Sequence, residues 1–242
     1  MRDNCIQSVG RAARVMGLCL LVLAGVAVSV PAVQAAEPEE AGFPVYKPPL
    51  RGVPAVRVGG GTRGAGDTAT EVYVLTPEHM GLTSKSQPVL FWYLSRAVTA
   101  SYDFVLIAET DYEPLVEARL TGIESAGIQR IALADFDVHL QPGVQYRWSV
   151  AVVMDQVHRS GDIMSSGMIE YIEPPAGLLA NVEKASGEAR VAQYAAAGLW
   201  YDALLSLDEL MRSGTDVTRY RQMRASLLQQ VGLNSVAAAV GG

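Results

Sequence analysis

Cysteine is almost missing from this 242-residue chain: there are 2, Cys5 and Cys19, and both fall within the first 19 residues. Histidine is nearly as scarce, with 3, and His79, His139 and His158 lie far apart in sequence. No H-E-x-x-H and no G-x-S-x-G occurs, so the local signatures of zinc proteases and serine hydrolases are absent. A basic excess is lacking too. Nineteen Lys and Arg stand against 25 Asp and Glu, a formal net charge of -6, which argues against nucleic acid as the main partner because phosphate affinity rests on basic patches. Half of the residues are hydrophobic and 18% charged, enough apolar surface for a real core.

No apolar run reaches the roughly 20 residues of a comfortable membrane span. An uninterrupted uncharged stretch, Val15 to Val30, follows Arg2, Arg11 and Arg14 and precedes Val33-Gln34-Ala35, whose small residues suit signal peptidase. Residues 1–35 are therefore expected to be a signal peptide cleaved after about Ala35. Cys19 does not suit lipoprotein processing, because Leu18 before it is bulky. Cleavage would remove both thiols and leave an acidic product with no disulfide, periplasmic or secreted, held by ordinary burial.

Three zones follow. Residues 36–70 form a Gly/Pro-rich extension in which Pro44, Pro48, Pro49 and Pro54 and the Gly59-Gly60-Gly61 run exclude helix. Its Val45, Tyr46, Leu50, Val53, Val56 and Val58 are expected to lie along the next zone. Residues 71–174 carry short apolar runs split by turns, which reads as an antiparallel β-sandwich. Strands are expected at Val72 to Leu75, Val89 to Leu94, Tyr102 to Ile107, Leu115 to Leu120, Gln129 to Phe136, Tyr146 to Met154 and Met164 to Ile172. Within them, Pro142-Gly143 followed by Tyr146, Trp148 and Val150 looks like the tyrosine corner of immunoglobulin-like and fibronectin type III sandwiches, in which a buried Tyr bonds upstream backbone.

Residues 175–242 change to helical spacing after Pro174-Pro175. Leu199, Ala203, Leu207, Leu210 and Met211 line one helix stopped by Gly214; Val217, Tyr220, Met223, Leu227 and Val231 line another stopped by Gly232. Tyr194, Gly198 and Ala203 are matched 34 positions later by Leu228, Gly232 and Ala237, the tetratricopeptide period. Fewer than about three such units rarely bury a core alone. These helices are expected to lean on the sandwich of the same chain or on a partner protein.

Several runs recur in one recognisable order: Pro49-Leu50-Arg51-Gly52-Val53-Pro54, Arg57 to Gly64, Pro77-Glu78-His79-Met80-Gly81-Leu82-Thr83, Pro88 to Tyr93, Tyr146-Arg147-Trp148 and Leu199-Trp200-Tyr201-Asp202-Ala203-Leu204. In these the chain resembles a bacterial family catalogued as a domain of unknown function, number nine-two-eight. The resemblance implies an exported envelope protein with no established activity. It also leads to the expectation of a cysteine near Met154; this chain has none there, so no redox role is carried over.

Candidate chemistry is sparse. Gly59 to Gly64 fits G-x-G-x-x-G, but Ala65 to Thr70 is a poor helix start for receiving a pyrophosphate, and a tight glycine turn is the simpler reading. Asp135, Asp137 and His139 would share a face if Gln129 to Phe136 ran on as a strand, either as the start of a divalent-cation site or as a solvated edge. Glu109, Asp111, Glu113 and Glu117 crowd one hairpin and could hydrolyse a glycosidic bond only across a cleft. Trp92, Trp148 and Trp200 are expected in the core. Arg57, Arg63, Trp200 and Tyr201 are the candidates for contact with a ligand or partner. No cofactor and no metal are expected. The sequence reads as a non-enzymatic exported module that binds another envelope or secreted protein, with an envelope hydrolase acting on glycan or peptide as the alternative.

Overall fold

The structure, a computed structural model, describes residues 42–49, 57–61, 70–174 and 176–242. The expected signal peptide, Arg63 and most of the extension therefore lie outside the described residues. Two sheets face each other. One runs in the order β1 (Gly60–Gly61), β2 (Glu71–Val74), β4 (Val89–Leu94), β7 (Gly127–Ala132), all antiparallel. The other runs β3 (Gly81–Thr83), β9 (Ile163–Tyr171), β8 (Gln145–Val153), β5 (Ser101–Ala108), β6 (Val116–Leu120), antiparallel except that β3 joins β9 in parallel. β5 and most of β8 alternate buried and exposed residues, so Phe104, Leu106, Trp148 and Val150 meet between the sheets.

Tyr146 is buried at the start of β8, and its hydroxyl accepts the Gln141 N–H at 3.0 Å, the expected corner geometry. The expected strand Gln129 to Phe136 is shorter than the sequence suggests. It ends at Ala132, and Leu133–Phe136 form a 3-10 turn closed by Asp137 at φ 54°. A short polar side chain tolerates that left-handed backbone better than most. Strand alternation therefore stops before Asp135, and with it the shared face proposed for Asp135, Asp137 and His139.

After Pro174 come α1 (Ala176–Lys184), α2 (Gly187–Ala196), α3 (Trp200–Ser213), α4 (Val217–Gln230) and α5 (Asn234–Val240). The turn between α2 and α3 repeats between α4 and α5 with an offset of 34 residues. Gly198 and Gly232 both sit at φ 76°, and the Leu199 N–H to Tyr194 carbonyl bond of 3.0 Å has its counterpart from Leu233 to Leu228 at 2.9 Å. Gly214, also at φ 76°, caps α3 as its position suggests. The helices do lean on their own sandwich. Core residues of both parts, from Trp92 and Trp148 to Leu207 and Leu227, form one continuous buried cluster.

The extension departs from expectation. Residues 42–49 cross the helices, the Lys47 N–H reaching the Ala195 carbonyl at 3.0 Å, and meet the sandwich through Tyr46, whose ring stacks on His79. Val58, by contrast, exchanges two 2.9 Å backbone bonds with Ser166 of β9. Both Val45 and Val58 are exposed, and Leu50, Val53 and Val56 lie outside the described residues.

Candidate functional site

The first turn of α3 is buried on every side: Trp200, Tyr201, Asp202, Ala203 and Leu204 are all inside. A helix apolar on one stripe rests on a surface, whereas one enclosed all round passes through a core. Here the turn enters the sandwich at β3, where Gly81 leaves the room. A Cβ on Gly81 would stand 2.7 Å from the Tyr201 ring and 3.2 Å from the Met168 carbonyl.

Buried polar atoms need partners, and four sandwich segments supply them. The Trp200 indole N–H donates to the Leu75 carbonyl at 2.8 Å. The Tyr201 hydroxyl accepts from the Trp148 indole N–H at 2.9 Å and lies 2.9 Å from the Met168 carbonyl and 3.0 Å from Thr76 Oγ1. Asp202 accepts from the Ser84 N–H at 2.9 Å and from the Ser84 hydroxyl at 2.6 Å. Burial pushes the Asp202 carboxyl above the ordinary range, with the Ser84 bonds opposing. Burial likewise raises the Tyr201 phenol well above its usual value.

Beside this knot lies a cleft occupied by residues 42–49, here called the strap. Gln230, the last residue of α4, holds it with both ends of its carboxamide. Oε1 accepts the Tyr46 N–H at 2.8 Å, and Nε2 donates to the Pro44 carbonyl at 2.9 Å. The Tyr46 ring is wedged between His79, stacked at 5.7 Å, and Trp200, edge-on at 5.0 Å, while its hydroxyl pairs with His79 Nε2 at 2.9 Å. Burial lowers the His79 imidazole below its ordinary value, with Glu78 opposing. Gly198 allows the close pass: a Cβ there would stand 2.9 Å from the Lys47 carbonyl. Phe43, half exposed, edges a hollow of about 330 Å³ lined also by Gln222, Ala225, Ser226, Gln229 and Ala237.

Arg57 closes the arrangement from the far side. Its guanidinium donates to the Thr76 carbonyl at 2.8 Å and to the Val231 carbonyl at 3.0 Å, with Glu78 at 3.5 Å. Val231 caps α4, so the cation meets the partial negative charge of that helix end. Both carbonyls belong to the chain itself. Arg57 thus ties sandwich to helices, as Trp200 and Tyr201 do.

The expected contact residues therefore converge, but inward. Trp200 and Tyr201 are 0% and 1% exposed; Trp200 is thus in the core as expected, and both make their polar contacts with the sandwich of the same chain. Arg63 lies outside the described residues. Trp92 and Trp148 are in the core as expected. Of the glycine fingerprint, Gly60 and Gly61 are in β1 and Thr62 to Gly64 lie outside the described residues. His139 Nδ1 lies 3.4 Å from the Ser86 hydroxyl, and among the described residues no group of three His, Cys, Asp or Glu is placed to hold a metal ion. Glu109 pairs with Arg147 at 2.8 Å, while Asp111 and Glu113 stand exposed beyond the end of β5. Tyr46, His79 and Gln230 were missed as partners. Tyr46 and Gln230 are 184 residues apart, and no local pattern links them.

Among the described residues no helix is long and apolar enough to cross a membrane. A family model described as Domain of Unknown Function (DUF928) matches residues 58–240. No curated protein and no solved structure matches the chain.

Proposed function

The chain belongs to the DUF928 family, and from that premise we propose a non-enzymatic interaction module of the bacterial envelope, exported by the leader in residues 1–35, whose helices receive extended peptide. One observation carries this reading: the helices already hold a stretch of extended chain by its backbone, through the Gln230 carboxamide and the Ala195 carbonyl, with one aromatic side chain seated between His79 and Trp200.

We read the sandwich as immunoglobulin/fibronectin III-like. Support comes from the strand order, β2-β4-β7 facing β9-β8-β5-β6, which matches A-B-E facing G-F-C-C′ in that class, and from the Tyr146 corner. We read α2 to α5 as two tetratricopeptide-like units, on the 34-residue offset of their turns. Repeats of that kind use the surface across successive helices to hold extended segments. The buried knot of Trp148, Trp200, Tyr201 and Asp202 then serves to fix the helices against the sandwich.

Selection of a random peptide library on the purified protein tests the reading. Peptides with two aromatic residues about three apart are expected to be enriched, and Gln230→Ala is expected to lower their retention. A protein that enriches no sequence above background, with or without residues 42–49, refutes the proposal.

A further inference from the structure

The strap's contacts divide between backbone and side chain. Three of its links are made by main-chain atoms of the strap, from Lys47 N–H to Ala195 and from Tyr46 N–H and the Pro44 carbonyl to Gln230. A carboxamide that accepts from one peptide N–H and donates to a carbonyl two residues earlier recognises extended backbone whatever its sequence. Selectivity comes from two side chains, Tyr46 in its aromatic slot and Phe43 at the edge of the hollow. Nothing in those contacts depends on strap and cleft being in one chain.

The occupant whose fit is demonstrated is this chain's own residues 42–49, so every second copy brings a matching segment. The strap also leaves the cleft without ladder bonds to either sheet, and Pro48-Pro49 hold its exit extended and out of helix. We infer that two copies exchange their straps, each laying residues 42–49 across α2 and α4 of the other, with Tyr46 of one copy between His79 and Trp200 of its partner copy. The exchange is reciprocal, so the same contacts form twice and the pair closes on itself. It rests on the reading of the helices as a receptor for extended peptide and names the occupant.

Scarcity of thiols makes the test clean. In a chain carrying Cys5→Ser and Cys19→Ser, one tagged population receives Phe43→Cys and a second receives Gln222→Cys, two positions on the rim of the same hollow. The two are unfolded, mixed, refolded together at high concentration and treated with a short bismaleimide. A cross-linked heterodimer is expected, reduced by at least about tenfold when the Gln222→Cys chain also carries Gln230→Ala, since two backbone bonds are lost. A single chain with both cysteines is the control and closes an internal link. If that control closes while the mixture gives no more heterodimer than its Gln230→Ala counterpart, the exchange is overturned. Light scattering supplies a second readout. Concentration-dependent dimer is expected from the intact protein, and monomer at every concentration tested overturns the proposal. Enriched peptides without heterodimer sink the exchange alone; heterodimer without enriched peptides sinks the general receptor.

Discussion

Tyr201→Phe is the sharpest perturbation of the junction, because it removes one oxygen and changes little else. That oxygen is the partner of the Trp148 indole N–H at 2.9 Å, and it lies within bonding distance of the Met168 carbonyl and Thr76. Both rings are enclosed, at 0% and 1% exposure, so water cannot replace the lost group. The Thr76 hydroxyl already lies 3.4 Å from the Met168 carbonyl and can satisfy that acceptor. The Trp148 N–H has no substitute. An orphaned buried donor costs about 1–3 kcal/mol, so with the imperfect rescue of Met168 the variant should lose roughly 2–3 kcal/mol. For a chain of this size that is a fall in melting temperature of about 4–12 °C. Urea unfolding followed by tryptophan fluorescence measures it, with Tyr112→Phe, at a fully exposed position, as the unaffected control. On a Trp148→Phe background the Tyr201→Phe loss should shrink by at least about 0.5 kcal/mol, since the two atoms share one bond. A Tyr201→Phe loss below about 0.5 kcal/mol, the scale of an ordinary surface change, would show that α3 does not enter the sandwich as described.

Asp202 should make the protein less stable as pH rises. Its folded-state pKa lies above the ordinary 3.8, so folding takes up protons, and its contribution is complete below that value and lost as pH rises through the folded one. Asp202→Asn, which can still accept from the Ser84 N–H and donate to its hydroxyl, should flatten that slope in a melting series, and an unchanged slope would contradict the assignment. His79 acts in the opposite sense: its folded value lies below the ordinary 6.5, so stability is full above that pH and declines as pH falls. His79→Gln should remove this acid-side decline; if it persists in full, another group is responsible. Gly198→Ala and Gly232→Ala share a φ of 76°, but only the first drives a Cβ to 2.9 Å from the Lys47 carbonyl, so it should cost at least about 1 kcal/mol more; equal losses would remove the strap from the cleft. Mass spectrometry of the exported protein should find a chain beginning near residue 36 without thiols, and a retained leader would refute the export reading.

The strands were legible where burial alternates. β4 has the bounds its apolar run suggests, β6 differs from expectation by one residue at its start, and β5, β8 and β9 differ by one residue at each end. Period-two patterns survive in sequence because each face has its own solvent. β3 was invisible because all three of its residues are buried. The 3-10 turn at Leu133–Phe136 was hidden behind an alternation that continued through Leu133 while the backbone bent at Asp137. Helix ends were readable at Gly214 and Gly232, whose left-handed conformations suit glycine. The site itself was legible only as unconnected words. Arg57, Trp200 and Tyr201 were singled out, but what they touch is set by contacts 19 to 174 residues distant, which no window along the chain contains.

The Pro174-Pro175 boundary looks like a place to cut, yet the first turn of α3 is a keystone. Without residues 200–204, Ser84, Leu75 and Trp148 face an open hole, and without the sandwich that turn has nothing to fill. A chain emerging N-terminus first from a ribosome therefore cannot finish its sandwich until some 200 residues have passed. Topology alone thus postpones completion of the sandwich until the helices are there to fill it.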